Sequence, residues 1–277
     1  MQDAFAYCAE LVRQADRDRF LAALFAPEEA RDALAALYAF NIEISRVRDV
    51  AREPLAGEIR LQWWSEVVAG GRADEAGANP VAAALLMAME RHRLPAEALS
   101  GLIEAHRFDL YDDPMPSLAD LESYALQTSS ALITLAARIL GDDAAVAAER
   151  AGVASGVTGL LRSFPIHAAR GQLYIPEELL SRHGVHHHDV FAGKSSPGLD
   201  AALAELRGLA RGRLAAAREP IIALPPRALP AFLPIALVRP WLDRLDRDDA
   251  FTPKEISPWR RQWLIWRAAR NPARIAA

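Results

Sequence analysis

This chain lacks strand signals, and that lack narrows its fold more than any single motif does. Alternating runs of Val, Ile and Thr, suited to a pleated and half-buried surface, do not appear. Ala, Leu, Arg and Glu recur at helical spacing nearly throughout. The punctuation is that of helix ends. Pro27 followed by Glu28 and Glu29 suits a first turn, where the missing N–H does no harm and the helix dipole favours acids. Pro54 and Gly57 interrupt the chain before a helix through QWWSEVV, which runs to Gly70-Gly71. Asn79-Pro80 opens another, Ser117 with Asp120 resembles a capping box for a helix through 140, and Gly141-Asp142-Asp143 closes that helix. Residues 182–198 read as the one long loop, and a last helix begins near Ser257-Pro258. About ten helices with short joints and no break in composition predict one all-α domain spanning residues 1–277.

Composition removes several function classes. The net charge of -4 provides no global basic field for nucleic acid. Cys8 is the single cysteine, which excludes an internal disulfide framework and a Cys-based zinc site and suits a reducing compartment. Lysine occurs only at 194 and 254, while arginine and alanine abound, the signature of a GC-rich genome. The first twenty residues have no basic segment followed by an apolar run, so they do not read as a secretory signal. The most apolar window, 221–238, carries Arg227 and four prolines and does not read as a spanning helix. The expectation is a soluble, cytoplasmic protein, with peripheral contact at the inner membrane left open.

Two stretches concentrate polar groups. In YAFNIEISRVRDV, residues 38–50, a continuous helix places Tyr38, Asn41, Ser45 and Asp49 near one face. Glu43, Arg46 and Asp49 are spaced to pair on the surface, at about 0.3–0.5 kcal/mol per pair. In GLLRSFPIHAARGQLYIP, 159–176, Pro165 falls inside an expected helix, and a kink or helix end is predicted there. Arg162, His167 and Arg170 gather around it, and an arginine at such a break can hold an anion bidentately. On spacing alone, both stretches also read as ordinary helix surface.

Taken together the stretches resemble the squalene/phytoene synthase family. Its first signature is similar to Y-A-F-x-R-x-x-D-D-x-x-D, matched here by YAF at 38–40 and by Asp49. Its second is similar to L-R-D-x-x-E-D-x-x-R-G-R-x-Y-L-P, matched by Leu161-Arg162 and by RGQLYIP at 170–176. RLQWWSEV at 60–67 and FDLYDD at 108–113, the latter with Asp109, resemble further family segments. The resemblance implies an isoprenoid synthase-like helical bundle around a central cavity. In such enzymes two acidic walls hold Mg²⁺ on the diphosphates of two prenyl substrates, which are joined head to head.

This sequence departs from that pattern at the acids. Where the family places six carboxylates, the chain has Ser45, Arg46, Asp49, Ser163, Ile166 and His167. Only Asp49 retains an acid, a poor match for a hard cation that takes several oxygen ligands. Ile42 stands where the family has arginine. Such erosion resembles the branch related to the mitochondrial respiratory complex I assembly factor and its bacterial relatives. It implies a non-catalytic protein with no cofactor, acting as an assembly or prenyl-lipid-binding factor, with respiratory-complex subunits as partners. Tyr38, Asn41, Ser45, Arg46, Asp49, Asp109, Arg162 and His167 are then the candidates to contact a prenyl diphosphate or lipid. The other reading is an active prenyl transferase that uses Mg²⁺.

Two further features invite function. His183, His186, His187 and His188 cluster in the expected loop, where adjacent imidazoles rarely give tetrahedral geometry, so a surface cluster is expected. Trp259, Trp263 and Trp266 lie at i, i+4 and i+7 of the last helix among arginines. Core packing is the expectation, with contact to a membrane surface or a partner as the alternative.

Overall fold

Eight successive residues, Ala33 to Phe40, are buried within one helix. A helix apolar on every side belongs at the middle of a core rather than on its surface. Four of the eight are alanines, whose small side chains let neighbouring helices approach closely. The computed structural model describes residues 2–51, 53–253 and 255–277. No strand occurs among the described residues, as the missing alternation predicts.

The helices run in this order: α1 Gln2–Ala15, α2 Arg17–Ala23, α3 Glu28–Ser45, α4 Val47–Val50, α5 Pro54–Val68 and α6 Ala73–Ala78. There follow α7 Pro80–His92, α8 Ala96–Ala105, α9 Leu118–Ala125, α10 Ala131–Ile139 and α11 Ala145–Ala169. The chain continues with α12 Glu177–Arg182, α13 His187–Phe191, α14 Pro197–Ile222, α15 Val238–Leu245 and α16 Pro258–Arg270. Several starts follow from their caps. Asn79 accepts from the N–H groups of Val81 and Ala82 at 2.9 and 3.1 Å, and Ser117 accepts from Asp120 at 3.2 Å. Each satisfies a donor that the first turn leaves without a helical partner.

The chain forms two compact units, interleaved in sequence. The first comprises Met1–Tyr111, Ala131–Ala145 and Ala223–Pro234. Within it α1, α3 and α7 pack against one another, α10 packs on both α3 and α8, and α5 packs on α8. Phe40 meets Trp64 edge-on with ring centroids 5.1 Å apart, a geometry that adds about 0.5–1.5 kcal/mol to simple burial. The second unit comprises Asp112–Ser130, Val146–Ile222 and Ile235–Ala277. There α14 packs on α12 and α15, and Arg213 of α14 pairs with Glu122 of α9.

Three expectations are corrected. Residues 38–50 are not one helix: Arg46, at φ -100 and ψ 6, ends α3 before α4 begins. Residues 182–198 are not a long loop, since α12 ends and α13 lies within them. The tryptophans of α16 are not core, because all three are exposed. Nor does the helix end at Pro165, which sits inside α11 with one further turn to Ala169.

Candidate functional site

In the first unit the polar cluster lies at the end of α3. Tyr38 is buried, and Arg19 of α2 stands over its ring at 5.8 Å. Burial pushes the phenol up to about 12, although the guanidinium pulls the other way. Arg19 is itself held by Asp16. Asn41 is half-buried, while the Ser45 hydroxyl donates back to the carbonyl of Ile42 at 3.4 Å. Glu43 faces Arg60 of α5 at 3.6 Å.

The break at Arg46 separates Asp49 from the face that carries Tyr38, Asn41 and Ser45. Asp49 now lies on the short α4, exposed, and no longer one regular helical turn beyond Ser45. Arg48 donates to the carbonyl of Leu110, which ties α4 to the 3₁₀ turn Phe108–Leu110. Asp109 is buried in that turn, its carboxylate 2.7 Å from His106 Nδ1. The structure thus unites Arg48 with the Asp109 turn, a neighbourhood that spacing could not show. Tyr111 donates to Glu58 at 3.0 Å, and Arg107 pairs with the same Glu58.

In the second unit the cluster lies near the C-terminus of α11. The Arg162 guanidinium stacks over the buried Trp241 ring at 4.1 Å. His167 meets the Tyr174 ring at 4.6 Å, and Tyr124 approaches Tyr174 at 5.8 Å. Ser163 is half-buried and Ile166 is 55% exposed. Gly171 takes φ +74, which turns the chain after α11 so that Leu173 can accept from the N–H of Met115 at 2.9 Å. A small apolar cleft, partly open to solvent, lies alongside. Leu121, Leu161, Phe164, His167, Tyr174 and Leu206 are among the residues lining it. Of these only His167 and Tyr174 have polar side-chain atoms, so the lining is predominantly apolar.

No carboxylate occurs anywhere in residues 159–170. Among the described residues, no group of three or more His, Cys, Asp and Glu is placed to hold a metal ion. His183 reaches Glu205 at 2.6 Å and His187 reaches Glu177, so these histidines are drawn to carboxylates.

Sequence reasoning missed Arg19, His106, Trp241 and Tyr124. His106 and Asp109 stand three apart and could have been paired from spacing. Arg19 and Trp241 are remote in sequence from Tyr38 and Arg162, and no local signal links them.

Residues 12–267 match the squalene/phytoene synthase family. The chain belongs to that family. It is 32% identical over 250 residues to the rat NADH dehydrogenase (ubiquinone) complex I, assembly factor 6, covering 89% of this chain and 75% of that protein. It is 32% identical over 199 residues to the phytoene synthase of Thermus thermophilus, covering 69% of this chain and 66% of that enzyme. Among solved structures, a dehydrosqualene synthase in complex with ligand superposes with TM-score 0.81 at 18% identity, covering 96% of this chain and 95% of the other. At that identity the likeness shows the fold, an all-α isoprenoid synthase-like bundle. This member of the squalene/phytoene synthase family therefore keeps the all-α fold.

Proposed function

We propose that this protein is a non-catalytic member of the squalene/phytoene synthase family, serving as an assembly or prenyl-lipid-binding factor of the complex I assembly type. One observation carries the reading: residues 159–170 contain no carboxylate. The family chemistry needs metal to neutralise a departing diphosphate, and metal needs carboxylate oxygens. In the first unit Asp109 is already bonded to His106 and Ser45 donates to its own helix. The residues present do not fit a Mg²⁺ site of the family type. The long match to the assembly factor supports the same reading.

The ligand this reading favours is a prenyl diphosphate or related lipid. Its chain would lie along the apolar residues beside His167 and Tyr174, and its anionic head would meet Arg162. Stacking on Trp241 fixes the plane of that guanidinium while its edge N–H groups keep their direction. A partner among respiratory-complex subunits, at the inner membrane, belongs to the same proposal.

The test is turnover. Purified protein is incubated with farnesyl or geranylgeranyl diphosphate, Mg²⁺ or Mn²⁺, and NADPH. The expected result is no pyrophosphate above background and no new hydrocarbon. Affinity capture from solubilised membranes should then recover respiratory-complex subunits. The second reading, an active head-to-head prenyl transferase, is favoured by the match to phytoene synthase. Metal-dependent pyrophosphate release would establish it and end the first.

A further inference from the structure

Three indoles of α16 are left in water. Trp259 is 81% exposed, Trp263 50% and Trp266 44%. A single exposed tryptophan needs no explanation, but three on one arc form a patch. At 3.6 residues per turn they fall within about 60° of one another. Ile265 and Ala268, both buried, hold the opposite side of the helix to the protein.

The same arc is basic. Arg267 stacks on Trp263 at 4.1 Å and Arg270 on Trp266 at 4.3 Å, so charge and indole are interleaved. α16 carries Arg260, Arg261, Arg267 and Arg270 and no acid, and Arg274 follows it. The chain as a whole is negative at -4, so positive charge is concentrated here against the general trend. The exposed residues of α16 include no Leu or Ile. A face of indoles and guanidiniums without aliphatics suits the headgroup layer of a bilayer, where one end of a side chain is apolar and the other wet. A protein groove that accepts a helix selects aliphatic anchors as well.

We propose that α16 is a membrane-surface element, seating its Trp259–Trp263–Trp266 arc in the headgroup layer of an anionic phospholipid bilayer with its arginines on lipid phosphates. Charge complementarity argues for the occupant: an acid-free helix with four arginines is attracted to anionic lipid and gains little from a zwitterionic surface. The helix lies along the surface, since no helix of the described residues is long and apolar enough to cross a membrane. This inference stands apart from the catalytic question, because α16 contributes none of the candidate ligand residues.

The test uses the full chain and vesicles of phosphatidylcholine with or without phosphatidylglycerol. The protein should sediment with the anionic vesicles, show a blue shift of tryptophan emission, and release on raising salt. Trp259→Ser/Trp263→Ser/Trp266→Ser should abolish sedimentation with the melting temperature unchanged. Trp259→Ser alone, at the most exposed position, should weaken binding and guards against a folding defect in the triple variant. Arg260→Gln and Arg270→Gln should each weaken binding about fivefold. Failure of the parent protein to sediment with anionic vesicles overturns the proposal. So does a folded triple variant that still sediments, or capture of a protein partner by this face without any vesicle binding.

Discussion

Tyr38 and Cys8 show how burial alone sets chemistry in the first unit. Both are buried, and burial pushes each group up to about 12, with Arg19 opposing the shift at Tyr38. Each is neutral when protonated, so the folded state holds its proton more tightly than the unfolded chain, at 9.0 for the thiol and 10.0 for the phenol. The stability they contribute is therefore full below pH 9.0 and is lost as pH rises through about 12. Urea midpoints should be level near neutrality and fall across that alkaline window, and Tyr38→Phe should reduce the slope. The Cys8 thiol should resist maleimide in the native state and react on unfolding. Arg162 makes a different residue-scale case. Arg162→Ala removes a guanidinium stacked on a buried indole, a loss on the order of 1 kcal/mol or about 2–4 °C in melting temperature. It should also remove thermal stabilisation by farnesyl diphosphate. A variant that is stabilised as fully as the parent would remove Arg162 from the proposed anion contact. Arg162 itself was legible from the sequence; Trp241 beneath it was not, because 79 positions separate them and helix periodicity carries no information over that range.

At the scale of the elements, α11 packs closely at Gly152. At Gly152 any Cβ would run into the Cα and Oγ of Ser130, at the end of the π-turn Leu126–Ser130. The Ser130 hydroxyl donates to the carbonyl of Glu149 at 3.0 Å, fastening that turn to α11. Gly152→Ala should therefore destabilise by about 1–3 kcal/mol or prevent folding, despite the better helix propensity of alanine. Gly159→Ala, on the same helix with open space around it, should be neutral or mildly stabilising, and paired thermal melts compare the two. Some element starts were legible because their chemistry is local: Asn79 and Ser117 cap where spacing placed them, whereas Pro54 and Gly57, expected to interrupt the chain, lie at the start of α5 and inside it. What failed was the chemistry that packing decides. Nothing in IEISRVRD marks Arg46 as a helix end; α4 is turned aside where Arg48 reaches the Leu110 carbonyl, a contact 62 residues distant. The histidine segment read as loop because it is polar, yet short helices form there beside Glu177 and Glu205. The tryptophan stripe lies outside the core against expectation, because apolar periodicity does not say which side of a helix faces the protein.

For the molecule as a whole, the question is where negative charge has gone. The chain has 36 Asp and Glu against 32 Lys and Arg, so carboxylates are plentiful. They are dispersed into pairs such as Glu10–Arg13, Glu66–Arg72 and Glu122–Arg213. Exposed pairs of this kind add little stability, about 0–1 kcal/mol each, but each guanidinium discourages a cation from approaching its carboxylate. A resident divalent ion would be visible thermodynamically: at one hundred times its dissociation constant it would stabilise the fold by about 2.7 kcal/mol. For a chain of this size that is a shift of about 5–10 °C. On the non-catalytic reading, dialysis against EDTA should leave the melting temperature within about a degree, and millimolar Mg²⁺ should not raise it. Farnesyl diphosphate should stabilise the protein equally with and without Mg²⁺, because fixed arginine charge replaces metal in holding the diphosphate. A melting temperature that climbs with Mg²⁺ only when the diphosphate is present would mean that the two together build a metal site, and the protein would then have to be treated as an enzyme.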